Sequence, residues 1–171
     1  MSRIVDTNVW VVAEGDSWPS EMCVQTCLDW LKGFKESGER LVVDEASFGN
    51  ESVPGETVYK ELRRCLSEGS YVHDLFNQHF MKDFLFDPIN IEYDESGAEL
   101  PDHIHLPGFE PADRKWVALH LNHPEHPPIH NASDGDWIKS ERDLENAGIE
   151  VIQLCEAELR QSVKEREDQK E

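Results

Sequence analysis

Short apolar runs alternate with amphipathic stretches along this chain, and that alternation constrains the fold more than any other feature. Residues 3–6 read as a buried strand within the strand-like run "SRIVDTNVWVV", and "ERLVVDEAS" reads as a second strand ending at Asp44. "HPPIHNAS" supplies a third and "IEVIQL" a fourth. Helical patterns fall between them. Over 19–36, Cys23, Cys27, Leu28, Leu31 and Phe34 recur at helical spacing after a Ser-Trp-Pro-Ser start signal. "VPGETVYKELRRCLSEG" has Pro54 near its start and Gly69 just past its end. Residues 70–86, "EPADRKWVALHLN" and "DWIKSERDLENAG", the last closed by Gly148, read as further helices. Strands that alternate with helices predict an α/β chain: a three-layer α/β/α sandwich on a mainly parallel sheet of four or five strands. Residues 87–108 break the pattern and read as a small hairpin or a plain loop. The charged stretch 156–171 reads as a frayed helix or tail beside a domain over 1–155.

The 171 residues suit one domain. No apolar run is long enough to span a membrane, and no apolar segment follows a basic start as in a signal peptide. The four cysteines show no framework spacing. Cys23 and Cys27, four apart on a helix, read as buried thiols, which favours the reducing cytoplasm. Thirty-six acidic residues stand against sixteen basic ones, a formal charge of −20. That disfavours a nucleic-acid coat or a membrane binder. It fits a solvated acidic surface, a cluster of carboxylates built for cations, or a face for a basic partner.

The placement of the acids narrows this choice. Asp6 sits among Ile4, Val5, Val9, Val11 and Val12, where an unpaired buried charge is costly. It stands at the carboxyl end of the first strand, where parallel sheets open their binding crevice. "HNASDGDW" brings Asp134 and Asp136 to the same edge, just past the third strand. Glu61 borders the apolar stripe of Val58, Leu62, Cys65 and Leu66, and Asp113 shares a face with Trp116 and Val117. Singly, each acid has a plain reading as a cap or a helix-terminus charge. Together, carboxylates in one crevice repel, and they persist only when protonated or when they hold cations. Ligands that are all oxygen favour Mg²⁺ or Mn²⁺. Two such ions, ~4 Å apart, are a usual device for phosphodiester hydrolysis.

With "IVDTNVW", "ELRRCL", "DRKWVALHLN" and "IHNASDGDW" in that order, residues 3–154 resemble the PIN-domain nucleases. The resemblance implies a PIN-like fold with Asp6, Glu61 (rather than Asp44 or Glu45), Asp113 and Asp134 as catalytic metal ligands, and Asp136 as a direct or water-mediated one. Asn8 and Ser133 would orient ligands or a metal-bound water. It implies Mg²⁺- or Mn²⁺-dependent hydrolysis of RNA by water, with no covalent intermediate. Many members of that family are toxins of toxin–antitoxin pairs and act as dimers, so a homodimer and a basic neutralising partner are expected.

RNA also needs positive contacts. Arg63 and Arg64 follow Glu61, and Arg114 and Lys115 follow Asp113, placed to bind flanking phosphates or to form surface ion pairs. Trp137 reads as a base-stacking ring or as sheet packing. His120 shares a face with Asp113, and the other histidines read as loop residues rather than a zinc site. A phosphatase of the haloacid dehalogenase type also places an acid after its first strand, but Asn8 stands where its second acid would be. A PIN-like module that binds without cutting is the alternative to the nuclease.

Overall fold

The computed structural model describes residues 1–15, 20–49 and 53–169. Five strands form one parallel sheet: β1 (Ser2–Val5), β2 (Arg40–Asp44), β3 (Phe86–Ile89), β6 (Ile129–Asn131) and β7 (Val151–Gln153), in the order β3-β2-β1-β6-β7. A separate antiparallel pair, β4 (Tyr93–Asp94) and β5 (Gly97–Ala98), makes the small hairpin within 87–108. The helices are α1 (Thr7–Ala13), α2 (Glu21–Ser37), α3 (Val58–Cys65), α4 (Tyr71–Phe76), α5 (Arg114–Asn122), α6 (Asp136–Lys139), α7 (Glu141–Asn146) and α8 (Glu156–Asp168). Flanking helices on a parallel sheet give the expected three-layer α/β/α sandwich. Among the described residues, no helix is long and apolar enough to cross a membrane.

The four expected strands are present, and the fifth, β3, came from a segment read as helix and loop. "FDPI" carries Asp87 and Pro88 and lacks a strand signature. It holds because it is an edge strand laddered on one side only, where a proline is tolerated. The helix expected over 70–86 is correspondingly shorter. α4 passes into a π-turn over Asn77–Lys82, and Phe84 then takes a positive φ of 52° before β3.

The opening run is a strand only to Val5. Asp6 turns it into α1, its carboxylate accepting a hydrogen bond from the Asn8 amide at 3.0 Å as the helix N-cap. Of the start signal expected for α2, Ser17, Trp18 and Pro19 lie outside the described residues. Ser20 caps that helix by accepting from the Cys23 amide. The single helix expected after Asp136 is two, α6 and α7, broken at Ser140.

Two expectations at the C-terminus are corrected. α8 is packed rather than frayed: Leu159 and Val163, four apart among charged residues, are buried. Gly135 allows that approach, because a Cβ there would lie 2.9 Å from Val163 Cγ2. Cys23 is not a thiol. It is joined by a disulfide to Cys155, which precedes α8. Cys27, on the same face of α2, is the buried free thiol, its Sγ 3.9 Å from that of Cys155.

Candidate functional site

The strand order places the site. From β1 the chain steps outward through β2 to β3, then α5 carries it back to β6 and on to β7. The direction reverses between β1 and β6, and a doubly wound sheet opens its crevice at such a point. Asp6 follows β1, and its backbone N–H donates to the His130 carbonyl of β6 at 3.0 Å. Asp134 follows β6, and Asp113 arrives from the short 3₁₀ turn (Pro111–Asp113) that leads into α5.

Asp6, Asp113 and Asp134 meet. One carboxylate oxygen from each lies within 4.8 Å of the others. Asp6 is 4% exposed, and burial pushes its carboxyl up to about 7, with Asp134 and Glu61 adding repulsion. Burial, followed by the charges of Asp6 and Asp134, raises Asp113 to about 8. Asp134 is raised as well, chiefly by burial. Burial, with repulsion among the carboxylates added to it, keeps Asp6 and Asp113 partly protonated near neutral pH.

The surroundings fix each carboxylate in place. Trp137, fully buried, donates from Nε1 to Asp6 Oδ2 at 2.9 Å. Its ring meets Phe109 edge-on at 4.9 Å, so it packs under the site and offers no face to a base. Asn8, in the first turn of α1, bridges to β6. Its Nδ2 donates to Asn131 Oδ1 at 2.8 Å, and its Oδ1 accepts from the amides of Ala132 and Ser133. Asn131, buried, donates in turn to the Asp134 carbonyl and to Gln153. The contribution of Ser133 to this network is its backbone amide.

The other expected residues lie around the cluster. Glu61 on α3 is not part of the three-carboxylate set; its carboxylate is paired with the ammonium of Lys115, which is 4% exposed. Asp136 opens α6 and pairs with Lys139 at 2.5 Å. Asp44 is fully buried and accepts from the Val58 amide and Ser47 hydroxyl at 2.8 Å, so it anchors the start of α3. Arg64 is forked on Glu56 at 2.7 and 2.8 Å. Arg63 is exposed and, among the described residues, forms no ion pair, while Arg114 reaches Ser96. His120 is a core residue with Nδ1 3.0 Å from the Pro127 carbonyl.

A cleft of about 300 Å³ opens against the turn that precedes Asp113, with Glu61, Lys115, Arg64, Tyr93, Gly55 and Gly97 among its lining residues and none of the three aspartates in its wall. Gly97, at a φ of 126°, lets β5 pass the Pro111 carbonyl, which a Cβ would meet at 2.8 Å. That close contact fixes the turn that delivers Asp113. The burial of Trp137 bears out its packing reading, whereas its hydrogen bond to Asp6 and the burial of Lys115 against Glu61 were not legible beforehand. The one signal was position, since Trp137 follows Asp136 and Lys115 lies two residues after Asp113.

No family model, no curated protein and no solved structure matches this chain.

Proposed function

We propose that this chain is a metal-dependent ribonuclease of PIN type, hydrolysing RNA phosphodiester bonds with water. One observation carries the reading: Asp6, Asp113 and Asp134, from three separate segments, converge at the switch point of a parallel sheet with carboxylate oxygens within 4.8 Å. Acids that close, one buried and two half-buried, carry a repulsion that a cation removes. The donors are all hard oxygens, which suits Mg²⁺ or Mn²⁺. Asp6, Asp113 and Asp134 would hold the ion. When bound, it supplies an activated water and offsets charge on the phosphate.

The chain's own residues do the positioning. Trp137 holds Asp6 in one orientation, and Asn8 and Asn131 lock the loop bearing Asp134 against α1. Arg63 and Arg114 lie on the two helices that border the cleft, placed to meet flanking phosphates. The strongly acidic chain fits a basic neutralising partner, as in a toxin–antitoxin pair. A homodimer belongs to the same reading. A cytoplasmic setting follows from an RNA substrate, and the Cys23–Cys155 disulfide weighs against it. A binding module without catalysis is the second reading, favoured by the pairing of Glu61 with Lys115.

The test is cleavage of a mixed-sequence RNA in Mn²⁺, Mg²⁺ or EDTA, beside Asp6→Asn. The nuclease cuts with either ion and stops in EDTA, and the variant loses at least about 100-fold. Cleavage that persists in EDTA or in the variant contradicts the proposal. No cleavage by the wild type under any condition favours the binding module.

A further inference from the structure

We propose that Lys115 is a resident cation that stands in for a second metal ion, so that the centre takes one divalent ion rather than two. This rests on the metal-dependent reading above. Four carboxylates, Asp6, Glu61, Asp113 and Asp134, reach this part of the molecule, and two divalent ions would balance their charge. The structure divides them. Three aspartates share a set within 4.8 Å, while Glu61 stands apart and is paired with the Lys115 ammonium.

Lys115 is placed there by the fold rather than by chance at the surface. It is one of the few charged side chains buried in the described residues, at 4% exposed. A lysine loses much hydration on burial and is retained where a carboxylate compensates it. Its position two residues after Asp113 ties it to the first turn of α5, and Glu61 meets it from α3. Both residues line the cleft of about 300 Å³, as do Arg64, Tyr93 and Ala112, the neighbour of Asp113. The Lys115 side chain thus lines the space open to a substrate, and its charge is felt at Asp113. A fixed positive charge there neutralises Glu61, keeps it from joining the aspartates, and faces the path of a polyanionic strand. With one divalent ion on the aspartates, the group keeps a single net negative charge.

Calorimetric titration of the full chain with Mn²⁺ alone tests this, with Lys115→Met, Lys115→Arg and Glu61→Gln beside the wild type. The wild type binds one Mn²⁺ per chain. Glu61→Gln also binds one, more weakly because Lys115 is no longer neutralised beside Asp113, but with the count unchanged since Glu61 is not a ligand. Lys115→Met frees Glu61 and takes up a second Mn²⁺, and Lys115→Arg returns the count to one. Two ions bound by the wild type, or an ion lost from Glu61→Gln, overturns the proposal and leaves the metal centre standing. If Lys115→Met does not fold, Glu61→Gln alone still decides. No Mn²⁺ bound by the wild type overturns the metal reading itself, and this inference with it.

Discussion

Asp113 is the most informative single residue. Unlike Asp6, its side chain caps nothing, so removing its charge breaks no cap hydrogen bond. In the folded chain Asp6 and Asp113 keep their protons to about 7 and about 8, against 3.8 for an unperturbed aspartate. The metal-free fold thus binds more protons than the unfolded chain, and its stability falls as pH rises through those values. His130, pushed down to about 4 by burial, acts oppositely, but its effect is complete above 6.5. Melting temperatures at about pH 6.5 and about pH 8.5 should therefore fall in the wild type without metal, and Asp113→Asn should flatten the fall. An equal decline in both proteins contradicts the electrostatic account. Trp137→Phe should keep the buried ring and remove a donor from Asp6, costing about 1–2 kcal/mol. Its carboxyl then holds its proton more tightly, so Mn²⁺ binds several-fold more weakly near pH 7 and recovers at higher pH. A loss that is the same at every pH would mean that Trp137 only packs. The acids themselves were legible, because each follows a recognisable strand or opens a helix pattern. The Glu61–Lys115 pair was not, because it joins two helices and leaves no local spacing signal.

Among the elements, β1 and β2 were legible because strands covered on both faces read as apolar runs, and β6 and β7 because a Pro-rich turn and Gly148 mark where they begin. β3 was not, since Asp87 and Pro88 hide an edge strand. α1 was hidden by its Val-rich stretch, which favours a strand on composition until Asp6 caps it as a helix. α8 was hidden by charge, with Leu159 and Val163 its main buried apolar residues, and it gains a covalent tie through Cys155. That disulfide closes a separation of 132 residues, and a disulfide is typically worth about 2–4 kcal/mol. Reduction, or Cys155→Ser, should lower the melting temperature by about 5–15 °C. A melting temperature indifferent to reductant would show that the bond contributes nothing to the anchoring of α8.

At the scale of the whole molecule, a chain of charge −20 must still meet a polyanion if it cuts RNA. Of four candidate cations, Lys115 and Arg64 are committed to Glu61 and Glu56. Arg63 and Arg114 remain for phosphate contacts. Two contacts to a single strand give a slope of log affinity against log salt of roughly −1.4. Binding of single-stranded RNA in EDTA should show that shallow dependence, and Arg63→Ala with Arg114→Ala should bring it toward zero. A steep slope untouched by the pair would place the RNA on another face. The central claim is that Asp6, Asp113 and Asp134 hold a divalent ion. Its most direct test is the melting temperature of wild type and Asp113→Asn with and without Mn²⁺ near pH 7.5. At Mn²⁺ about 100-fold above its dissociation constant, binding stabilises the wild type by about 2.7 kcal/mol. A rise of several degrees is expected in the wild type and little or none in Asp113→Asn. Equal shifts in both proteins, or none in either, would contradict it.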